Sequence, residues 1–117
     1  MANYICEYFE TDRGDRPVED FIDSLQNSMQ RKFFYKKLLL EEFGPRLPYP
    51  HAEKLMHDIY ELRFEGPHET GRVLYFFISG NRIVFTNGFK KKRRKTPENE
   101  ISLAVQRRAI YLKRKGR

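Results

Sequence analysis

The sequence has one cysteine, Cys6, no tryptophan, and no apolar run approaching the roughly 20 residues that span a bilayer. A lone cysteine excludes an intramolecular disulfide framework and any zinc site built from several thiolates, and it fits a reducing, cytoplasmic setting. The longest apolar stretches, such as Val73 to Ile78, have the length of a strand, and the N-terminus lacks the charged-then-apolar layout of a secretion signal. Neither membrane insertion nor export is expected. The three histidines, His51, His57 and His68, fall in no metal-ligand spacing, and there is no glycine-rich phosphate loop or serine-hydrolase elbow. No cofactor or metal is therefore expected. The histidines read as loop or strand-edge surface, and Cys6 as a small buried hydrophobe.

What the chain does have is aromatic area and polarised charge. Ten Phe and seven Tyr sit in 117 residues that are 39% hydrophobic, enough for one core, so residues 1–117 are expected to form a single domain. Residues 1–70 carry nine Lys or Arg against fourteen Asp or Glu, a net of −5; residues 71–117 carry fourteen against two, a net of +12. A basic excess confined to one half favours a polyanionic partner, either nucleic acid or an acidic protein.

Periodicity gives the elements. Tyr4 to Phe9 alternates as a short strand, and Pro17 opens a helix whose apolar positions are Val18, Phe21, Ile22 and Leu25. A second helix runs from about Met29 to Phe43, where Gly44 and Pro45 end it. Two prolines make Leu47 to Ala52 an irregular connection. Ile59 to Phe64, Arg72 to Ile78 and Ile83 to Phe89 read as hairpin-linked strands, the middle one apolar on both faces and hence central. Thr96 is placed to cap a last helix with Pro97 in its first turn. The order β-α-α-β-β-β-α predicts an α+β fold: a small antiparallel sheet with a helical hairpin and a C-terminal helix, the helices covering one face.

Strand alternation also gathers charge. Glu61 and Arg63 share the polar face of one strand, the hairpin sets Arg72 beside them, and the following strand delivers Lys90 and Lys91 to the same sheet edge. Guanidinium and ammonium groups on a sheet surface can hold a phosphodiester and stabilise charge that grows on it. The continuing basic run, Lys92, Arg93, Arg94 and Lys95, and the helix residues Arg107 and Arg108 extend the cationic surface as candidate RNA-backbone contacts.

The segments LPYPHAEKLMHDIYELRF (Leu47 to Phe64), GRVLYFF (Gly71 to Phe77) and TNGFKKKRRKTP (Thr86 to Pro97), with the helix that follows, resemble the phage-derived, HigB-like branch of the RelE toxin superfamily. The resemblance implies a RelE-like fold related to small microbial ribonucleases and an activity that cleaves messenger RNA, generally on the ribosome. It also implies a cognate antitoxin, often a helix-turn-helix protein. Arg72 matches the arginine of the family's Arg-x-x-Tyr strand, Arg63 that of its Glu-Leu-Arg strand, and Lys90 and Lys91 the basic pair after the glycine. The C-terminal tyrosine of some relatives has no match between Pro97 and Ala104, and the histidine-rich terminus of other HigB proteins is absent. The implied reaction is attack of a ribose 2′-hydroxyl on the adjacent phosphate without a metal, with Glu61 as a general base or as the group orienting the arginines. Two rival readings explain the same charge: a non-catalytic RNA- or ribosome-binding module, and a phage-derived regulatory interaction protein.

Overall fold

The computed structural model describes residues 3–92 and 94–115. The elements in chain order are β1 (Ile5–Tyr8), α1 (Pro17–Asp23), α2 (Asn27–Phe43), a short 3₁₀ turn (Gly44–Arg46), β2 (Ala52–Lys54), β3 (Tyr60–Glu65), β4 (Thr70–Ile78), β5 (Arg82–Lys90) and α3 (Glu98–Lys115). They form an α+β fold around one five-stranded sheet of order β1-β5-β4-β3-β2. Among the described residues no helix is long and apolar enough to cross a membrane.

The strand apolar on both faces is the central one. Along β4, Val73 and Tyr75 join Leu62, Phe64, Ile83 and Phe85 in a core layer under α1 and α2, whose Val18, Ile22, Met29, Phe33 and Leu40 close it. Leu74 and Phe76 point the other way, and with Val84 they pack against Ala104 and Tyr111 of α3. The sheet is therefore covered on both faces, which corrects the one-sided packing expected from β3 alone. β3 has one apolar side, but β4 and β5 have two, and the second needs its own helix.

Two further differences follow from pairing that local sequence does not encode. Strands β2 to β5 are antiparallel, as expected, whereas β1 joins the edge parallel to β5, pairing Cys6 with Ile83 and Tyr8 with Phe85. A long-range parallel contact leaves no turn signal between the partners. β2 lies at the end of the stretch expected to be irregular: Pro48 and Pro50 keep the ladder from starting earlier, but Ala52 to Lys54 are free to pair with Tyr60 to Leu62.

The boundaries have local causes. Gly44 takes φ 55° and donates its N–H to the Leu40 carbonyl, ending α2, while Gly80 (φ 83°) and Asn81 (φ 62°) turn β4 into β5. Gly71 lies flat against the Phe64 ring; a Cβ there would sit 2.4 Å from it. The Thr96 hydroxyl does not cap α3 but donates to the Glu61 carboxylate. The Pro97 carbonyl accepts the Glu100 N–H at 3.1 Å to start the helix instead. At its far end α3 clasps the first strand: the Tyr111 hydroxyl donates to Glu7, and Arg114 donates to the Glu10 carbonyl at 2.8 Å and to Asp12 at 2.6 Å.

Candidate functional site

Register fixes the heart of the site. Arg63 pairs with Arg72 across β3 and β4, and Glu53 pairs with Glu61 across β2 and β3, so period-two alternation sets all four side chains on the face that α3 shares. The helix covers only part of that face. Where it stops, the charged residues begin.

Glu61 is the anchor, 1% exposed. One carboxylate oxygen accepts the Thr96 hydroxyl; the other lies 3.7 Å from Arg72 Nε and 3.8 Å from Arg63 Nη1. Arg72 is itself buried, and its Nη1 donates to the Gly71 carbonyl at 2.9 Å. Burial and then the neighbouring Arg63 charge lower its pKa from the usual arginine value. Arg63 is half-buried, donates to Glu53 Oε1 at 3.0 Å and lies over the Tyr49 ring, 4.9 Å from its centre. Two cations side by side are tolerated because one buried carboxylate lies between them.

The loop after β5 completes the wall. Lys91 is tied to β4 at both backbone groups: its N–H donates to the Thr70 carbonyl at 2.8 Å, and its carbonyl accepts the Thr70 hydroxyl at 2.9 Å. Its side chain turns to the arginines, and desolvation, followed by the positive charge of Arg72, lowers its pKa below the ordinary lysine value. Arg63, Arg72, Lys91, Lys92 and Arg94 line an open groove of about 540 Å³, together with Tyr49, Glu53 and Thr70. Lys95 lines an adjoining cavity with Glu61 and Lys91.

Not every basic residue expected here arrives. Lys90 stands one position before Lys91, pairs with Gly71 and lies 2.7 Å from Glu69, so alternation carries its ammonium away from Arg72. Arg107 and Arg108 do not form an open RNA face: Arg107 donates to the Thr86 carbonyl at 2.9 Å and packs over Phe9, and Arg108 packs over Phe76. Both border the inward stripe of α3, where a long arginine stem covers apolar sheet. Arg93 lies outside the described residues.

The groove also holds three residues that sequence reasoning missed. Glu53 became visible only with β2, Thr70 carried no charge, and Tyr49 sat between prolines with no periodicity to place it. Among the histidines, His51 lies with Nδ1 at 2.8 Å from Lys36 Nζ, where burial and then that ammonium lower its pKa; His57 and His68 sit at loops. The Cys6 thiol is pushed up to about 12 by burial and then by the Glu41 carboxylate, leaving it inert. Among the described residues no three His, Cys, Asp or Glu side chains gather as a metal site would need.

These features define a small α+β protein with a cationic groove at the uncovered end of its sheet. Residues 20–109, most of the chain, match the family described as phage derived protein Gp49-like (DUF891), and the chain belongs to that family. The family is related to the RelE toxins and is associated with the toxins of toxin–antitoxin systems. No curated protein matches the chain.

Proposed function

We propose that residues 1–117 form a single HigB-like toxin domain of a type II toxin–antitoxin pair, an endoribonuclease that cuts messenger RNA in the cytoplasm, on the ribosome. The observation that carries this reading is the convergence of Arg63, Arg72 and Lys91 on one groove around a buried carboxylate. Family membership supports the partner, a cognate antitoxin with a helix-turn-helix pattern, encoded beside it.

RNA supplies its own nucleophile. The ribose 2′-oxygen gives up its proton to water in the open groove and attacks phosphorus, the bond to the 5′-oxygen breaks, and the products are a 2′,3′-cyclic phosphate and a 5′-hydroxyl. The planar forks of Arg72 and Arg63 hold the non-bridging oxygens as charge grows on them, and fixed positions spare the reaction a reorganisation cost. Lys91, its proton loosened by burial and by Arg72, delivers that proton to the departing 5′-oxygen. Glu61 positions the arginines rather than taking a proton from RNA, since one oxygen accepts the Thr96 hydroxyl and the other lies between the two guanidinium groups. Lys92, Arg94 and Lys95 hold the flanking backbone.

Induced expression with and without the neighbouring gene tests the proposal. Growth arrest relieved by the neighbour, with cut transcripts ending in 2′,3′-cyclic phosphate, is the expected result; RNA bound but left intact makes the chain a binding module instead. Two finer results are expected. Lys92 and Arg94 are exposed, so Lys92→Ala/Arg94→Ala folds normally but makes the dependence of log affinity on log salt shallower by about 1.4, at about 0.7 per single-strand phosphate contact. A titration of RNA binding across salt concentrations reads this directly. As the acid, Lys91 must be protonated, so cleavage falls as pH rises through a value below the ordinary lysine range. Lys91→Arg keeps the charge but cannot release a proton, so it should cut more slowly and lose this alkaline fall. A pH–rate profile identical in the two proteins removes Lys91 from that role.

A further inference from the structure

The side of the molecule that carries the groove holds a second depression that the cleavage chemistry leaves unused. The groove shares Glu53, Lys91 and Arg94 with an adjoining cavity of about 290 Å³. That cavity in turn shares Met56 and Ile101 with a pocket of about 510 Å³, walled by Met56 and His57 from the β2–β3 turn and by Glu98, Val105 and Gln106 from α3. The three depressions form one path, and its chemistry changes along the way. Guanidinium and ammonium groups stand at one end, thioether, aliphatic and imidazole groups at the other.

Both walls of the far pocket are built by the fold. Positions 98, 101, 105 and 106 recur at helical spacing, so α3 presents them as one stripe. Left-handed backbone at His57 (φ 58°) and Asp58 (φ 61°) turns β2 into β3 and leaves Met56 half exposed. Apolar and imidazole surfaces with a carboxylate and an amide at the rim do not suit a phosphate. They suit a flat ring that has an apolar face and a hydrogen-bonding edge.

We propose that this pocket holds a nucleobase of the single strand whose phosphate lies on Arg63, Arg72 and Lys91, with Met56, His57 and Val105 against the ring and Gln106 and Glu98 at its edge. The proposal rests on the reading of the groove as an RNA site. It makes the pocket a source of sequence preference at the cut, and it requires an unpaired base, because a base stacked in a duplex offers neither face.

The test uses a short labelled oligoribonucleotide with 2′-O-methyl riboses, which cannot be cut, and an abasic strand of the same length and charge. By fluorescence anisotropy the wild-type chain should hold the base-bearing strand about tenfold more tightly, in the range that one stacked base gives. Met56→Ala/Gln106→Ala changes two exposed side chains, and it should shrink that gap below about twofold while leaving affinity for the abasic strand unchanged. A double variant that keeps the full gap, or that loses affinity for both strands alike, overturns the proposal. The nuclease reading is judged separately on unmethylated message bound to translating ribosomes. A wild type that discriminates between the strands but cuts nothing removes the nuclease and leaves the pocket; one that cuts but does not discriminate removes the pocket alone.

Discussion

Arg72→Ala should abolish growth arrest and lower transcript cleavage by about 100-fold or more, the scale seen when a fixed transition-state donor is removed. The same change takes a partner from a carboxylate that is 1% exposed. Removing one half of a buried pair costs on the order of 3–5 kcal/mol, so Arg72→Ala should also melt well below the wild type. Loss of activity in that variant alone would thus mix two causes. Arg72→Lys separates them, because an ammonium keeps positive charge near Glu61 but cannot offer the two-pronged geometry of a guanidinium. We expect Arg72→Lys to recover most of the thermal stability and to remain at least about tenfold slower. Equal cleavage by the wild type and by both variants, at matched soluble protein, would remove Arg72 from the mechanism.

Glu61→Ala carries the second large effect. It leaves Arg72 buried, sets two guanidinium groups against each other with no intervening charge, and strips the Thr96 hydroxyl of its acceptor. An unfolding free energy lower by about 3–5 kcal/mol is expected from denaturant titration. Glu61→Gln keeps an oxygen for Thr96 but no charge, and should fall between the wild type and Glu61→Ala. Kinetics then distinguish a positioning residue from a base. If Glu61 only aligns the arginines, Glu61→Gln cuts more slowly with an unchanged pH profile; a profile that changes shape would mean that Glu61 takes the proton.

Much of this architecture is legible in short-range patterns. Alternation in β3 and β4 is enough to set Glu61, Arg63 and Arg72 on one surface, because register in a hairpin is a local property. The same rule, applied one residue further, separates Lys90 from Lys91: adjacent positions on a strand face opposite ways. A run of six basic residues hides this, since composition has no direction. The burial of Glu61 was not legible either. It depends on Thr96 folding back over β3, a contact between residues 35 apart in the chain. Arg107 and Arg108 look like backbone contacts in sequence for the same reason. Their charge is local, while the aromatic surface under their stems belongs to β4 and to the segment just after β1.

The parallel edge strand has a consequence for how the molecule comes into being. During synthesis, residues 5–8 emerge first yet find their hydrogen-bonding partner only when residues 82–90 have been made, and they are fastened only when Tyr111 and Arg114 follow. Arg63 and Arg72 likewise precede the segment that brings Lys91 and Thr96 to them. The groove proposed to hold RNA is therefore complete only once residues 91–96 have been made.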